Sequence, residues 1–90
     1  MLSARQKKFL KGQSHSLKPV VIVGAQGLTE GVHQEIERAL NDHELIKIKI
    51  ASKERDYRKE VADAIITHHN AEKINSIGQM VIIYRESDSA

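Results

Sequence analysis

The chain has 90 residues, of which 40% are hydrophobic, 3% aromatic and 29% charged, and its formal net charge is +2. A chain this short holds one domain and one core, burying about 60–65% of the surface it would expose unfolded. The absence of cysteine excludes disulfides and thiolate metal sites. No apolar run approaches a membrane span, and "MLSARQKKFLKG" has no apolar leader core, so a soluble cytoplasmic protein is expected.

"SARQKKFLKG" predicts a helix with Ser3 as N-cap and Gly12 just past its end. On a helical wheel Leu2, Phe9 and Leu10 fall together, ready to dock. Lys7, Lys8 and Lys11 lie roughly opposite, with Arg5 at the margin. "PVVIV", 19 to 23, predicts a strand buried on both faces or nearly so, with Pro19 placing it at a sheet edge or a strand start.

"TEGVHQEIERALNDH" predicts a helix capped by Thr29, with Val32, Ile36, Ala39 and Leu40 as its apolar stripe. "ELIKIKI", 44 to 50, alternates: Ile46, Ile48 and Ile50 point to a core, while Lys47 and Lys49 point to the other face. "SKERDYRKEVADAIITHHN" predicts a helix capped by Ser52, with Tyr57, Val61, Ala64 and Ile65 inward and Asn70 as a left-handed stop. "EKINSIGQMVIIYR" predicts a hairpin turning near Ile77-Gly78, and the closing "ESDSA" a frayed polar end, with 87–90 as tail beyond the domain. The elements run helix, then β-α-β-α-β-β, an α+β order with both long helices on one sheet face and the other at least partly open.

Charge is unevenly spread. Before Glu30 there are five basic residues, Arg5, Lys7, Lys8, Lys11 and Lys18, and no acid. Such asymmetry points to an anionic partner, or to a helix that merely solubilises. Between the first strand and the second helix stands "GAQG", Gly24 to Gly27. A strand-to-helix turn leaves backbone N–H groups unpaired at the positive end of a helix, and glycine there permits positive φ and close approach. A GxxG loop can clamp a nucleic-acid backbone; by itself it is more often simply a turn. There is neither G-x-G-x-x-G nor G-K-[ST], so no dinucleotide or Walker site is expected.

The run "LKPVVIVGAQGLTEGVHQEIERALNDHELIKIKI", with a closing "VIIYR", resembles the CRM domain. It is similar in particular to the stand-alone bacterial, YhbY-like members of that family, over nearly the whole chain. The resemblance implies a KH-like RNA-binding domain, 1–86, related in fold to the C-terminal domain of translation initiation factor three. It implies a two-layer α+β sandwich with a mixed four-stranded sheet in the order 1-2-4-3. Bacterial members are implicated in assembly of the large ribosomal subunit and plant relatives in intron splicing. The family's GxxG matches Gly24 to Gly27. Where that loop often reads "GKNG", Ala25 and Gln26 stand here, so charge has to come from elsewhere.

Other chemistry finds little support. His68 and His69 are adjacent on a helix and point about 100° apart. No H-x-x-x-H or H-E-x-x-H is present, so surface histidines and no metal are expected. There is no G-x-S-x-G, and acids such as Glu35, Glu37 and Asp42 read as a solvated helix face. With Phe9, Tyr57 and Tyr84 the only aromatics, backbone recognition is expected over base stacking. With the resemblance, the expected function is non-enzymatic binding of ribosomal RNA, by a monomer needing no cofactor. The expected contacts are Gly24, Ala25, Gln26 and Gly27, with Arg5, Lys7, Lys8, Lys11, Lys18, Lys47 and Lys49. The alternative is a protein-binding module that docks on a ribosomal protein or assembly factor.

Overall fold

In a computed structural model, which describes residues 2–87, the chain forms α1 (Ala4–Ser14), β1 (Pro19–Val23), α2 (Glu30–His43), β2 (Leu45–Ile50), α3 (Arg55–His69), β3 (Glu72–Ile77) and β4 (Met80–Tyr84). The sheet order is β1-β2-β4-β3, with β1 parallel to β2 and β4 antiparallel to both its neighbours. This is the topology the family resemblance implies.

Alternation along β2 divides the molecule. Ile46, Ile48 and Ile50 are buried with Ile36 and Leu40 of α2, Val61 and Ile65 of α3, and Val81 and Ile83 of β4. Thr29 caps α2 by accepting from Val32 N–H at 3.2 Å. Asn70 ends α3 at φ 53°, a left-handed turn that asparagine tolerates better than most residues.

The opposite face is less open than the sequence implies, because α1 lies across part of it. Leu2, Gln6 and Leu10 line a cleft with Tyr84, and Leu2 N–H donates to Glu72 Oε1 at 3.3 Å. Ile82 points to this face, in register with Lys47 and Asn75, yet is only 1% exposed. α1 is the element available to cover it.

Several expectations are corrected. Gly12 does not end α1; the helix continues to Ser14, whose hydroxyl donates to Lys11 C=O at 2.6 Å. Phe9 lines the same cleft as Leu2 and Leu10 but stays 64% exposed rather than docked. β1 is buried on one face only: Val20 and Ile22 are 49% and 59% exposed, because β1 is an edge strand and α1 contacts β2 and β3 instead. Ser52 is not the N-cap of α3. Its hydroxyl accepts from Glu54 N–H, and Glu54 itself occupies the cap position without a side-chain cap bond. The buried stripe of α3 is Val61, Ala62, Ile65 and His69, while Tyr57 and Ala64 face outward. Ser87 is bound to α2, its N–H donating to Glu44 Oε2 at 2.6 Å and its hydroxyl to Asn41 C=O at 3.3 Å. The rest of the expected tail, 88–90, lies outside the described residues.

The cover over Ile82 is testable by urea denaturation. Ile82→Ala is expected to cost about 2–5 kcal/mol, as a fully buried side chain does. Ile22→Ala, on the same face but exposed, is expected to stay within about 0.5 kcal/mol. Equal small effects would mean that α1 does not seal this face.

Candidate nucleic-acid interface

The GAQG loop leaves the end of β1, where Val23 pairs with Ile50, and enters α2. Gly27 N–H donates to Gly24 C=O at 3.0 Å, closing a turn, and Thr29 N–H donates to Gly27 C=O at 3.1 Å. Among the described residues, the amides of Ala25, Gln26, Glu30 and Gly31 have no backbone acceptor. They stand at the positive end of α2, on an exposed loop.

The two glycines have different reasons to be there. Gly27 has φ 73°, and a Cβ on it would meet the Tyr57 hydroxyl at 3.3 Å. The fold therefore requires this glycine. Gly24 lies outside the left-handed region, and a Cβ on it would meet nothing within 4 Å. Neither a positive φ nor a close neighbour accounts for a glycine at position 24.

The basic residues expected at the site do not gather at the loop. Across the sheet, Ile22, Lys49, Met80 and Ile77 form a row at the loop end; Leu45, Tyr84 and Glu72 form a row at the other end. These rows lie four residues apart along β2, roughly 13 Å. α1 meets the sheet at the far end, with Lys7 Nζ 3.8 Å from Glu72 Oε2. Arg5, Lys8, Lys11 and Lys18 are exposed. Lys47 and Lys49 are half-buried on the open face, with Lys49 nearer the loop.

Other positive charge stands at the loop end. Arg55, Arg58 and Lys59 line a groove of about 570 Å³ between α3 and the β3–β4 turn, with Asp63 the acid among them; Lys73, in register with Ile83, lines it farther from the loop. Arg58 is partly committed there, its Nη1 donating to Ser52 C=O at 2.9 Å. Block counts of charge miss this groove, because in "SKERDYRKE" acids separate the bases. The helical periodicity of that segment was the signal that could have sorted them. Tyr57, which the apolar stripe of α3 places inward, is instead part-exposed beside Gly27.

At the α2–α3 contact, the structure assembles a polar cluster. His69 is 2% exposed; its Nδ1 donates to Glu37 Oε2 at 2.5 Å and its Nε2 faces His33 Nδ1 at 2.9 Å. Arg85 grips the same carboxylate with both terminal nitrogens, at 2.8 and 3.1 Å, and donates to His69 C=O at 3.0 Å. His69 is thus no surface histidine. The hydrogen bonds from Arg85 and then His69 hold the Glu37 carboxyl down from 4.5 to about 2.

These features define a class: a two-layer α+β domain with an exposed glycine loop at a strand-to-helix junction and basic groups around one end. Residues 2–85 match the model of the CRS1/YhbY (CRM) domain, and the chain belongs to that family. It is 48% identical over 89 residues to an RNA-binding protein of Haemophilus influenzae, covering 99% of this chain and 90% of that one. A probable RNA-binding protein of Pseudomonas aeruginosa is 50% identical over 86 residues, covering 96% and 83% of the two chains. The solution structure of a hypothetical protein from Staphylococcus aureus superposes with a TM-score of 0.85 at 32% identity, covering 99% of this chain and 93% of that one.

The Glu37 pair carries a pH signature. A carboxylate whose pKa is lowered on folding contributes stability that is complete above its unfolded pKa. That contribution is lost as pH falls through the folded value, here from about 4.5 to about 2. Half-exposure of Glu37 limits its size through solvent screening. Glu37→Gln is expected to lower stability at neutral pH and to flatten the acid limb of a denaturation series between those values. Parallel wild-type and variant limbs would show that the pair contributes nothing.

Proposed function

We propose that this protein binds RNA through the GAQG loop and the basic groups around it. On the family resemblance, its target is ribosomal RNA in precursors of the large subunit, whose assembly it assists in the cytoplasm as a monomer, without catalysis. The relatives named as RNA-binding proteins support the coarse reading. The observation that carries it here is Gly24, a glycine that neither backbone conformation nor packing demands, on an exposed turn with free amides. A phosphate at that place would accept from backbone N–H groups, which requires clearance rather than a lysine in the loop. Gly24, Ala25, Gln26 and Gly27 are the proposed clamp. Lys49 and Lys47 on the open face, and Arg55 and Lys59 on α3, extend it. Arg5, Lys7, Lys8, Lys11 and Lys18 attract the strand at longer range, within a molecule whose longest extent is 33 Å.

A second reading has its own observation. Val20 and Ile22 are exposed on an edge strand, with Phe9 exposed on α1, a pattern that suits a docked protein. In that case the protein would associate with precursor particles through a ribosomal protein or assembly factor, and would not bind protein-free RNA in a salt-dependent way.

Gly24→Asp separates clamp from turn. The variant is expected to melt like the wild type, within about 0.5 kcal/mol, because the site is open and the conformation ordinary. Its affinity for protein-free ribosomal RNA is expected to fall several-fold through bulk and repulsion. Gly27→Ala is expected to lose about 1–2 kcal/mol of stability through its left-handed backbone. Unchanged RNA titration of a folded Gly24→Asp protein would remove the clamp.

Charge is tested by salt dependence. Replacing Lys7, Lys8 and Lys11 by Gln is expected to weaken binding and to reduce the slope of log affinity against log salt by roughly 0.7–0.9 per lost contact. An unchanged slope would leave α1 as a solubilising cover for the sheet, with the loop end as the whole interface.

A further inference from the structure

The cluster at the α2–α3 contact brings the imidazole of His33 to the adjacent pair His68 and His69. The ligand-capable nitrogens of His33, His68 and His69 all lie within 4.8 Å of one another. His33 stacks on His68 with ring centroids 3.9 Å apart. Burial decreases from His69 through His33 to His68, so the group opens outward from a buried anchor.

The hydrogen bonds of the anchor decide what its free nitrogen can do. A carboxylate only accepts, so His69 Nδ1 carries the proton it gives to Glu37. In the neutral ring, Nε2 is then a lone pair aimed at His33 Nδ1, which must donate to it across 2.9 Å. A carboxylate bound to the far nitrogen of an imidazole fixes the ring's tautomer and orientation and raises its basicity as a ligand. Arg85 holds that carboxylate in turn, through two hydrogen bonds.

We propose that His33, His68 and His69 form a binding site for a zinc-like divalent transition metal, with Glu37 and Arg85 orienting His69 from behind. The donor set is all imidazole, which suits zinc and its neighbours rather than magnesium or calcium. Tetrahedral zinc with bonds of ~2.0–2.1 Å holds its nitrogens about 3.3 Å apart. The observed grouping reaches that by a slight parting of His33 from His69 and a rotamer change of exposed His68. The metal replaces the proton now shared between His33 and His69. That proton moves from Nδ1 to Nε2 of His33, so neutral rings bind with no net proton release. A fourth position faces outward, open to water. This assignment stands apart from the RNA reading, since none of these groups belongs to the proposed clamp. The spacing rules that exclude a metal on α3 alone hold; His33, from another helix, completes the set.

The test uses the full chain and zinc itself, in competition with a chromophoric chelator at pH 7.5. One zinc per chain is expected, with micromolar or tighter affinity and a raised melting temperature. His68→Ala removes an exposed ligand and is expected to leave the metal-free fold intact while weakening zinc roughly tenfold or more; His15→Ala and His43→Ala are expected to change nothing. Imidazole nitrogen NMR of the wild type gives a readout that needs no variant: zinc should shift His69 Nε2 and move the His33 proton to Nε2. Zinc binding unaffected by His68→Ala, binding lost with His15 or His43, unshifted His33 and His69 nitrogens, or no binding in the micromolar range would each overturn the site.

Discussion

Everything in this fold depends on the two-residue period of β2. Three isoleucines on one side give α2 and α3 a surface to bury, and a slip of one residue would put Lys47 and Lys49 into that core instead. The same period sends Lys47 and Lys49 to the opposite face, where a half-buried position keeps the ammonium groups near water. β4, paired with β2, cannot divide its side chains so cleanly. Val81 and Ile83 join the core, but Ile82 is forced to the other side and needs a cover of its own. α1 supplies it, which makes the basic N-terminal helix part of the fold as well as a source of charge.

That cover shapes the candidate interface. Where α1 sits, the sheet is sealed; where it does not reach, Ile22, Lys49, Met80 and Ile77 form a row beside the glycine loop. The unsealed end is also where α3 begins, with Arg55 and Lys59, and where Tyr57 touches the loop. Backbone donors, positive charge and partly apolar surface thus converge at one end of a small domain.

Much of this was legible in the amino-acid order, because it rests on local rules. The cap at Thr29, the stop at Asn70, the alternation of β2 and the hairpin at Gly78 all depend on residues within a few positions of one another. What was not legible depends on distant partners. The β-branched run of β1 looks doubly buried in isolation, and only its edge position and the placement of α1 leave Val20 and Ile22 exposed. Phe9 looks dockable beside Leu10, yet at the edge of the cleft that Leu2 and Leu10 form with Tyr84 it stays 64% exposed. The histidine cluster joins residues 33 and 69, a separation no spacing rule within one helix examines.

The two glycines show how sequence and structure divide the work. As a motif, GxxG treats Gly24 and Gly27 alike, and a turn explanation serves both. Geometry separates them. Gly27 is consumed by a positive φ and by the hydroxyl of Tyr57, so its presence says nothing about a ligand. Gly24 carries neither constraint, and a side chain there would project into open space. A glycine in an exposed turn that need not be glycine carries an entropic cost on folding of roughly 0.5–1 kcal/mol relative to alanine where the backbone permits both. A domain of this size has little stability to spare. Neither conformation nor packing within the described fold offsets that cost; under the proposed function, close approach of a phosphodiester to the amides of Ala25 and Gln26 would do so.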